Sequence, residues 1–229
     1  MGKDVATVYI VDDEITVSTA LARSLTKRGY RVQTFESAES FLERFEQDGI
    51  ACLVLDIQMA GMSGTDLQEH LAALEVILPI IFVTGHGDIP MSVRAIKAGA
   101  VDFLEKPYPV ELLTTRIDDA LKQCELLLAE AARKREIVER YDSLTPRECD
   151  VMKLLVAGPA NASNKVIARE LEISHRTVDD HRARVMAKMK ARSLPELVEM
   201  AKDCNAHTEE VPMVSGTEEA PGTTDARAS

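Results

Sequence analysis

Hydrophobic and polar positions alternate between two kinds of run through the first half of the chain. Val5–Val11 is a short β-rich stretch that ends at Asp12-Asp13-Glu14. A helical pattern follows, with Val17, Leu21 and Leu25 on one face and Gly29 as its stop. Tyr30–Phe35 alternates like a strand, and Ser37 then caps a helix carrying Phe41, Leu42 and Phe45. The cycle repeats three more times. Ala51–Leu55 ends at Asp56, Ile80–Val83 ends at Thr84, and Val101–Leu104 leads to Lys106-Pro107, each followed by a helical pattern. Five short apolar strands alternating with five helices predict an α/β unit, a five-stranded doubly wound parallel sheet covered on both faces.

From Pro109 the pattern stays helical to Tyr141 without a Gly or Pro, a length of about 50 Å at the usual rise per residue. Ile117, Leu121, Cys124, Leu128, Ala131 and Val138 fit a 4-3 spacing that Arg135 interrupts. Two readings stand side by side: an arm that pairs with a second copy, and an amphipathic linker. A second, all-α unit of four helices starts at Ser143. Thr145-Pro146-Arg147-Glu148 reads as an N-cap, a first-turn Pro and a capping-box Glu. Lys165–Leu171 is its second helix, Glu172-Ile173 a tight turn, and Ser174 caps a third helix reaching Lys190. Ser193 and Glu196 open a fourth helix to Cys204. The brief turn before the third helix predicts a helix-turn-helix. The expected division is residues 1–123, a helical linker over 124–142, the helical unit over 143–204, and a disordered acidic tail over 205–229.

Charge sharpens this division. The 229 residues carry a net charge of −11, which excludes a uniformly basic coat for nucleic acid. Residues 1–123 hold 11 Lys/Arg against 19 Asp/Glu, residues 163–192 hold 8 against 4, and residues 205–229 hold 1 against 5. An acidic body, a basic patch and an acidic tail are three different physical objects. No apolar stretch is long enough to span a bilayer and no secretory signal is visible, so neither membrane nor export is expected. Cys52, Cys124, Cys149 and Cys204 lie far apart without metal-ligand spacing, which suits reduced thiols in the cytoplasm.

In a parallel α/β sheet, ligands bind at the C-terminal ends of the strands. The residues expected there are Asp12, Asp13, Asp56, Thr84 and Lys106. Unit charges 4 Å apart repel by about 4 kcal/mol at an effective dielectric of 20, so converging carboxylates call for a cation or for raised pKa values. Oxygen-only donors favour Mg²⁺ over zinc. A metal, an amine and a hydroxyl around one carboxylate stabilise a phosphoryl group passing onto it.

The order of these residues carries a resemblance. Asp12-Asp13, Asp56-x-x-Met59-x-Gly61-Met62-x-Gly64, Thr84-Gly85-His86-Gly87-Asp88 and Lys106-Pro107 resemble the flavodoxin-like receiver domain of two-component response regulators. Leu144-Thr145-Pro146-Arg147-Glu148, Ser163-Asn164-Lys165-x-Ile167-Ala168 and Arg176-Thr177-Val178 resemble the LuxR/NarL output domain. The runs Gly85–Pro90 and Gly99–Pro107 point to the FixJ branch, and the likeness covers residues 5–204. It implies Asp56 as phosphoacceptor, and Asp12, Asp13, Asp56 and the backbone carbonyl of Gln58 around Mg²⁺. It further implies Thr84 and Lys106 on the phosphoryl group, Phe103 as the switch aromatic, and a cis Lys106–Pro107 bond. The partners it implies are a sensor histidine kinase, double-stranded DNA and a second copy on phosphorylation, with RNA polymerase a further candidate.

Lys165 on the second helix and Arg176, Arg182 and Lys188 on the basic third helix are expected near DNA phosphates, with Arg184 of the same helix also expected at the DNA. Thr177 and Val178 suit contacts near the groove, with Val178 expected to sit partly in the core, and Asp179 and Asp180 fall near the bases. Three features depart from the family pattern. Asp179 and Asp180 stand where relatives often place Lys or a neutral side chain, the loop Gly158–Ser163 is longer, and Ala60 replaces a common Pro. The sequence therefore predicts a transcription regulator switched at Asp56, whose only catalysis is Mg²⁺-dependent self-phosphorylation and autodephosphorylation at that residue. A phospho-switch on protein partners, or a phosphate sink with weakened DNA binding, is the alternative. A phosphohydrolase is disfavoured, because those enzymes usually carry a second Asp where Gln58 stands.

Overall fold

The computed structural model describes residues 6–47, 49–85, 96–158 and 162–208, with the side chains of 205–208 excepted. The chain divides into two compact units, Met1–Ala132 and Arg133–Ser229. In the first, the strands are β1 (Thr7–Val11), β2 (Arg31–Phe35), β3 (Ala51–Asp56), β4 (Ile80–Thr84) and β5 (Asp102–Glu105). They form one sheet in the order β2-β1-β3-β4-β5, with every pairing parallel.

Strand alternation builds two cores. Tyr9, Val11, Leu53, Leu55 and Phe82 enter one cluster, under α2 (Ala38–Arg44) and α3 (Gly64–Ala73). Val8, Ile10, Cys52, Val54, Ile81 and Val83 enter the other, under α1 (Ile15–Lys27) and the start of α4 (Val110–Asp142). The period of two in the strands thus divides one apolar set between two helical layers. Tyr9, Phe35, Phe41 and Phe45 stack or meet edge to face on the first side. The helix expected between β4 and β5 falls largely on residues 86–95, outside the described residues, as does His86.

The long helix α4 is continuous over 33 residues. Leu113, Ile117, Ala120, Leu121 and Cys124 are buried in the core of the first unit. Cys124 Sγ also accepts the Ala51 N–H at 3.4 Å. The first three positions of the 4-3 spacing are therefore used inside the unit and are not open to a second copy. Leu126, 72% exposed, lies off that stripe. Ile137, near the helix end, is buried in the core of the second unit.

That unit consists of the last turns of α4 with α5 (Pro146–Val156), α6 (Asn164–Glu170), α7 (His175–Met189) and α8 (Leu194–Thr208). Thr145 and Glu148 form the expected capping box, and Ser163 and Ser174 cap α6 and α7. Glu172 turns between α6 and α7 at φ +53°, and Lys190 ends α7 at φ +55°. At α8 the box is displaced: Ser193 accepts the Glu196 N–H, but the Glu196 carboxylate takes the Arg192 N–H at 2.7 Å. The fourth helix also runs beyond Cys204 to Thr208, and residues 209–229 lie outside the described residues. Among the described residues, no helix is long and apolar enough to cross a membrane.

Candidate functional site

The parallel sheet brings the ends of β1, β3, β4 and β5 to one edge. Asp12 follows β1 and Asp56 closes β3; both are buried. Lys106 follows β5, and its backbone N–H donates to the Thr84 carbonyl at the end of β4, 2.8 Å away. That bond fixes the root of the lysine, and the adjoining Lys106–Pro107 peptide is cis. The ammonium then lies 2.7 Å from both Asp12 Oδ2 and Asp56 Oδ2. Burial by itself would lower the Lys106 pKa. The hydrogen bonds and charges of Asp12 and Asp56 outweigh it and hold the pKa above the ordinary lysine value.

The other carboxylate oxygens are aimed by the backbone. Asp12 Oδ1 accepts the Glu14 N–H at 2.9 Å, and Asp56 Oδ1 accepts the Gln58 N–H at 3.0 Å. Asp12, Glu14 and Asp56 each offer an oxygen within 4.8 Å of the others. Three carboxylates beside one ammonium leave an excess of negative charge. An oxygen-only donor set with that excess fits a hard divalent cation such as Mg²⁺.

Two of the three acids predicted as ligands, Asp12 and Asp56, therefore come together. Asp13 is exposed, and its Oδ2 accepts the Ala60 N–H at 3.1 Å. Glu14, which sequence reasoning did not select, takes the third position, with Oε1 3.9 Å from the Lys106 ammonium. Its signal was its place as N-cap of α1, directly after the Asp pair.

Gly64 shows how tightly the end of β3 is packed. A Cβ there would stand 2.2 Å from the Asp56 carbonyl oxygen, so α3 approaches only because residue 64 has no side chain. Glu39 of α2 braces the same loop by accepting the Met62 N–H at 2.9 Å. The Glu39 carboxyl is held below the usual range by its own backbone N–H first, then by Met62 and Ser37. Thr84 is fully buried, and Phe103, partly buried, packs against the aromatic side of the core opposite Phe82.

In the second unit, α7 sorts its predicted DNA residues by partner. Val178 is fully buried with Val185 and Met189, which removes it from the base-contacting set. Asp179 accepts a hydrogen bond from the Asn164 amide, and Arg182 donates to Asn164 Oδ1 at 3.3 Å and to the Ala162 carbonyl at 3.2 Å. Asp179 and Arg182 thus grip the start of α6. Lys188 donates to Glu148 Oε2 at 2.7 Å and to the Ser143 carbonyl at 2.9 Å. The Lys188 ammonium, followed by the Thr145 N–H, holds the buried Glu148 carboxyl down to about 2. Thr177 is partly buried, and its hydroxyl lies 2.8 Å from that of Ser174. Lys165, Arg176, Asp180 and Arg184 are exposed. Positions 176, 180 and 184 share the side of α7 away from the core.

Comparison with known proteins agrees with this geometry. Residues 8–118 match the response regulator receiver domain, and residues 142–201 match the bacterial regulatory proteins of the luxR family. The chain is 46% identical to the transcriptional regulatory protein FixJ of Rhizobium meliloti over 195 residues, covering 85% of this chain and 94% of that one. It is 43% identical to the response regulator TodT of Pseudomonas putida, with 88% of each covered. Among solved structures, the response regulator StyR matches with a TM-score of 0.74 at 41% identity, over 86% of this chain and 98% of that one. An acid-and-lysine sheet edge and a capped helix-turn-helix in one polypeptide, matched over most of their length by such relatives, place this chain in the response regulator family, with a FixJ-like receiver domain followed by a LuxR-type DNA-binding domain.

Proposed function

We propose that this response regulator accepts a phosphoryl group on Asp56 from a sensor histidine kinase, then pairs with a second copy and binds double-stranded DNA to regulate transcription. The observation that carries the reading is the Lys106 ammonium, 2.7 Å from both Asp12 and Asp56, at the sheet edge of a chain that also holds a helix-turn-helix.

An Asp56 carboxylate oxygen attacks the phosphorus of the kinase's phosphohistidine. The new P–O bond forms as the P–N bond breaks, and the imidazole leaves with the electron pair of that bond. Asp56 begins within reach of Lys106, so the ammonium turns from a carboxylate oxygen to a phosphoryl oxygen without travelling far. The Thr84 hydroxyl supplies a further donor there. Asp12, Asp13, Asp56 and the Gln58 carbonyl would hold Mg²⁺, with Glu14 close by; bound Mg²⁺ supplies charge stabilisation to the phosphoryl oxygens. Phe103 packs partly exposed on β5, beside the strand end that Lys106 and Thr84 share, and its reorientation transmits the change to the face that pairs. The switch requires a differential stabilisation of a few kcal/mol between the two states. Phosphoryl loss returns the protein to rest, so this chemistry sets a lifetime and turns over no metabolite. The four free thiols suit the reducing cytoplasm.

On DNA, Arg176, Arg184 and Lys165 take phosphates, and Thr177 and Asp180 lie nearest the base edges. Arg182, Lys188 and Asp179 are assigned to holding the fold. The phosphate-sink alternative rests on Asp179, Asp180 and the acidic tail, and the Asn164 bond gives Asp179 a partner within the fold. The test is selection from randomised duplex DNA with and without a small phosphodonor plus Mg²⁺. A paired site enriched only with phosphodonor, and lost in Asp56→Asn, is the expected result. No enrichment while Asp56 is phosphorylated would sink the DNA-binding reading and direct the search to a protein partner.

A further inference from the structure

Asp13 and Ala60 meet where the start of α1 faces the loop between β3 and α3. They are joined through the backbone, with the Ala60 N–H on Asp13 Oδ2 at 3.1 Å. Two residues on, the Met62 N–H is held by Glu39 Oε1 at 2.9 Å. Between them Gly61 takes φ +82°, and Glu39 Oε1 stands 2.7 Å from where a Cβ would project. The loop is thus anchored on one side by an acid of the β1 edge and on the other by α2. The same loop begins at Gln58, whose N–H is on Asp56 Oδ1. The oxygens gathered at the sheet edge come from Asp12, Glu14 and Asp56, while Asp13 is engaged by the loop. Asp13 stands outside that cluster, so its carboxylate has to shift toward a cation held there, and the shift draws Oδ2 away from the Ala60 N–H. A proline at position 60 could not donate at all.

We propose that the Ala60 N–H is a positioning group that parks Asp13 on the β3–α3 loop, so that recruiting Asp13 to a divalent cation breaks this bond and frees the loop. The inference rests on the reading of the sheet-edge acids as a cation site. It gives the Ala60 departure a physical consequence: the cation site and the loop beside the phosphoacceptor are coupled through one backbone donor.

Calorimetric titration of the full chain with Mg²⁺ alone, without phosphodonor, tests it in three forms: unaltered, Ala60→Pro and Ala60→Gly. Ala60→Pro should bind Mg²⁺ about twofold to tenfold tighter, the range that loss of one competing hydrogen bond allows. Ala60→Gly keeps the N–H and should stay within about twofold of the unaltered chain. In the unaltered chain, the Ala60 amide resonance should shift, and its hydrogen exchange quicken, as Mg²⁺ saturates. Unchanged affinity in Ala60→Pro, equal tightening in both variants, or an unmoved Ala60 amide overturns the proposal. If the proline variant does not fold, the amide measurement decides alone. Failure of the underlying reading looks different: none of the three chains gives heat or resonance shifts with Mg²⁺, and both ideas then fall.

Discussion

The two charged regions of this protein use the same residue types under opposite rules. At the sheet edge of the first unit, one cation is enclosed by carboxylates. Lys106 has a side chain 17% exposed, against 3% for Asp12 and 7% for Asp56. On α7 of the second unit, cations outnumber acids and are divided. Arg182 and Lys188 face inward to Asn164 and Glu148, while Arg176 and Arg184 face solvent. Burial with a fixed partner makes a charge part of the structure, and exposure leaves it available to a ligand. Residue type alone does not distinguish the two.

Lys106→Met breaks the comparison at its strongest point. It leaves two buried carboxylates without their counter-charge, and removing one partner of such a set costs about 3–5 kcal/mol. Denaturant unfolding of the full chain without Mg²⁺ should show a loss of that order, with part of it recovered as Mg²⁺ is added. A loss below about 1 kcal/mol, the level of a surface ion pair, would mean the lysine is not the internal counter-ion of the cluster.

Lys188→Ala carries the same logic to the second unit on a smaller scale. Its partner Glu148 is buried but keeps the Thr145 N–H at 2.9 Å, so the cost should be about 2 kcal/mol. The pH dependence has a definite sign. Glu148 has a folded pKa of about 2, below the ordinary glutamate value of 4.5. Its stabilising contribution is therefore complete above pH 4.5 and is lost as pH falls toward 2. The stability difference between the unaltered chain and Lys188→Ala should accordingly narrow as pH falls through that window. A difference that stays constant down to about pH 2 would assign the cost to packing of the lysine stem instead.

Local signals in the sequence were enough for the elements. Short β-rich runs located the strands, two of them ending at Asp12 and Asp56, and Ser37, Thr145 and Ser174 marked helix starts that the structure repeats as caps. The convergence of Asp12, Asp56 and Lys106 followed from the parallel sheet, since strand ends share one edge. Partner choice was not legible, because it is made across the fold. Lys188 meets Glu148 forty residues away, and Arg182 meets Asn164 eighteen away. That Glu14 lies with Asp12 and Asp56 while Asp13 accepts the backbone N–H of Ala60 is a matter of geometry that no side-chain pattern records. Only the first half of the 4-3 stripe of α4, Ile117, Leu121 and Cys124, is buried, and periodicity shows that a face is buried without saying against what; here it is the core of the first unit.

Arg184→Ala sharpens the comparison where the stability effect is smallest. The side chain is exposed and, among the described residues, makes no hydrogen bond or ion pair, so stability should change by no more than about 0.5 kcal/mol. Its effect belongs to the ligand. On the proposed reading Arg184 meets a DNA phosphate, so removing its charge should weaken binding evenly across DNA sequences and reduce the slope of log affinity against log salt by about 1. Lys188→Ala should show the reverse combination, a measurable stability loss with an unchanged salt slope once folded protein alone is counted. Filter binding across a salt series on one operator and one unrelated duplex separates the two variants. If Lys188→Ala lowers the slope as Arg184→Ala does, then the lysine leaves Glu148 for DNA, and the division of α7 into holding and reading charges does not survive binding.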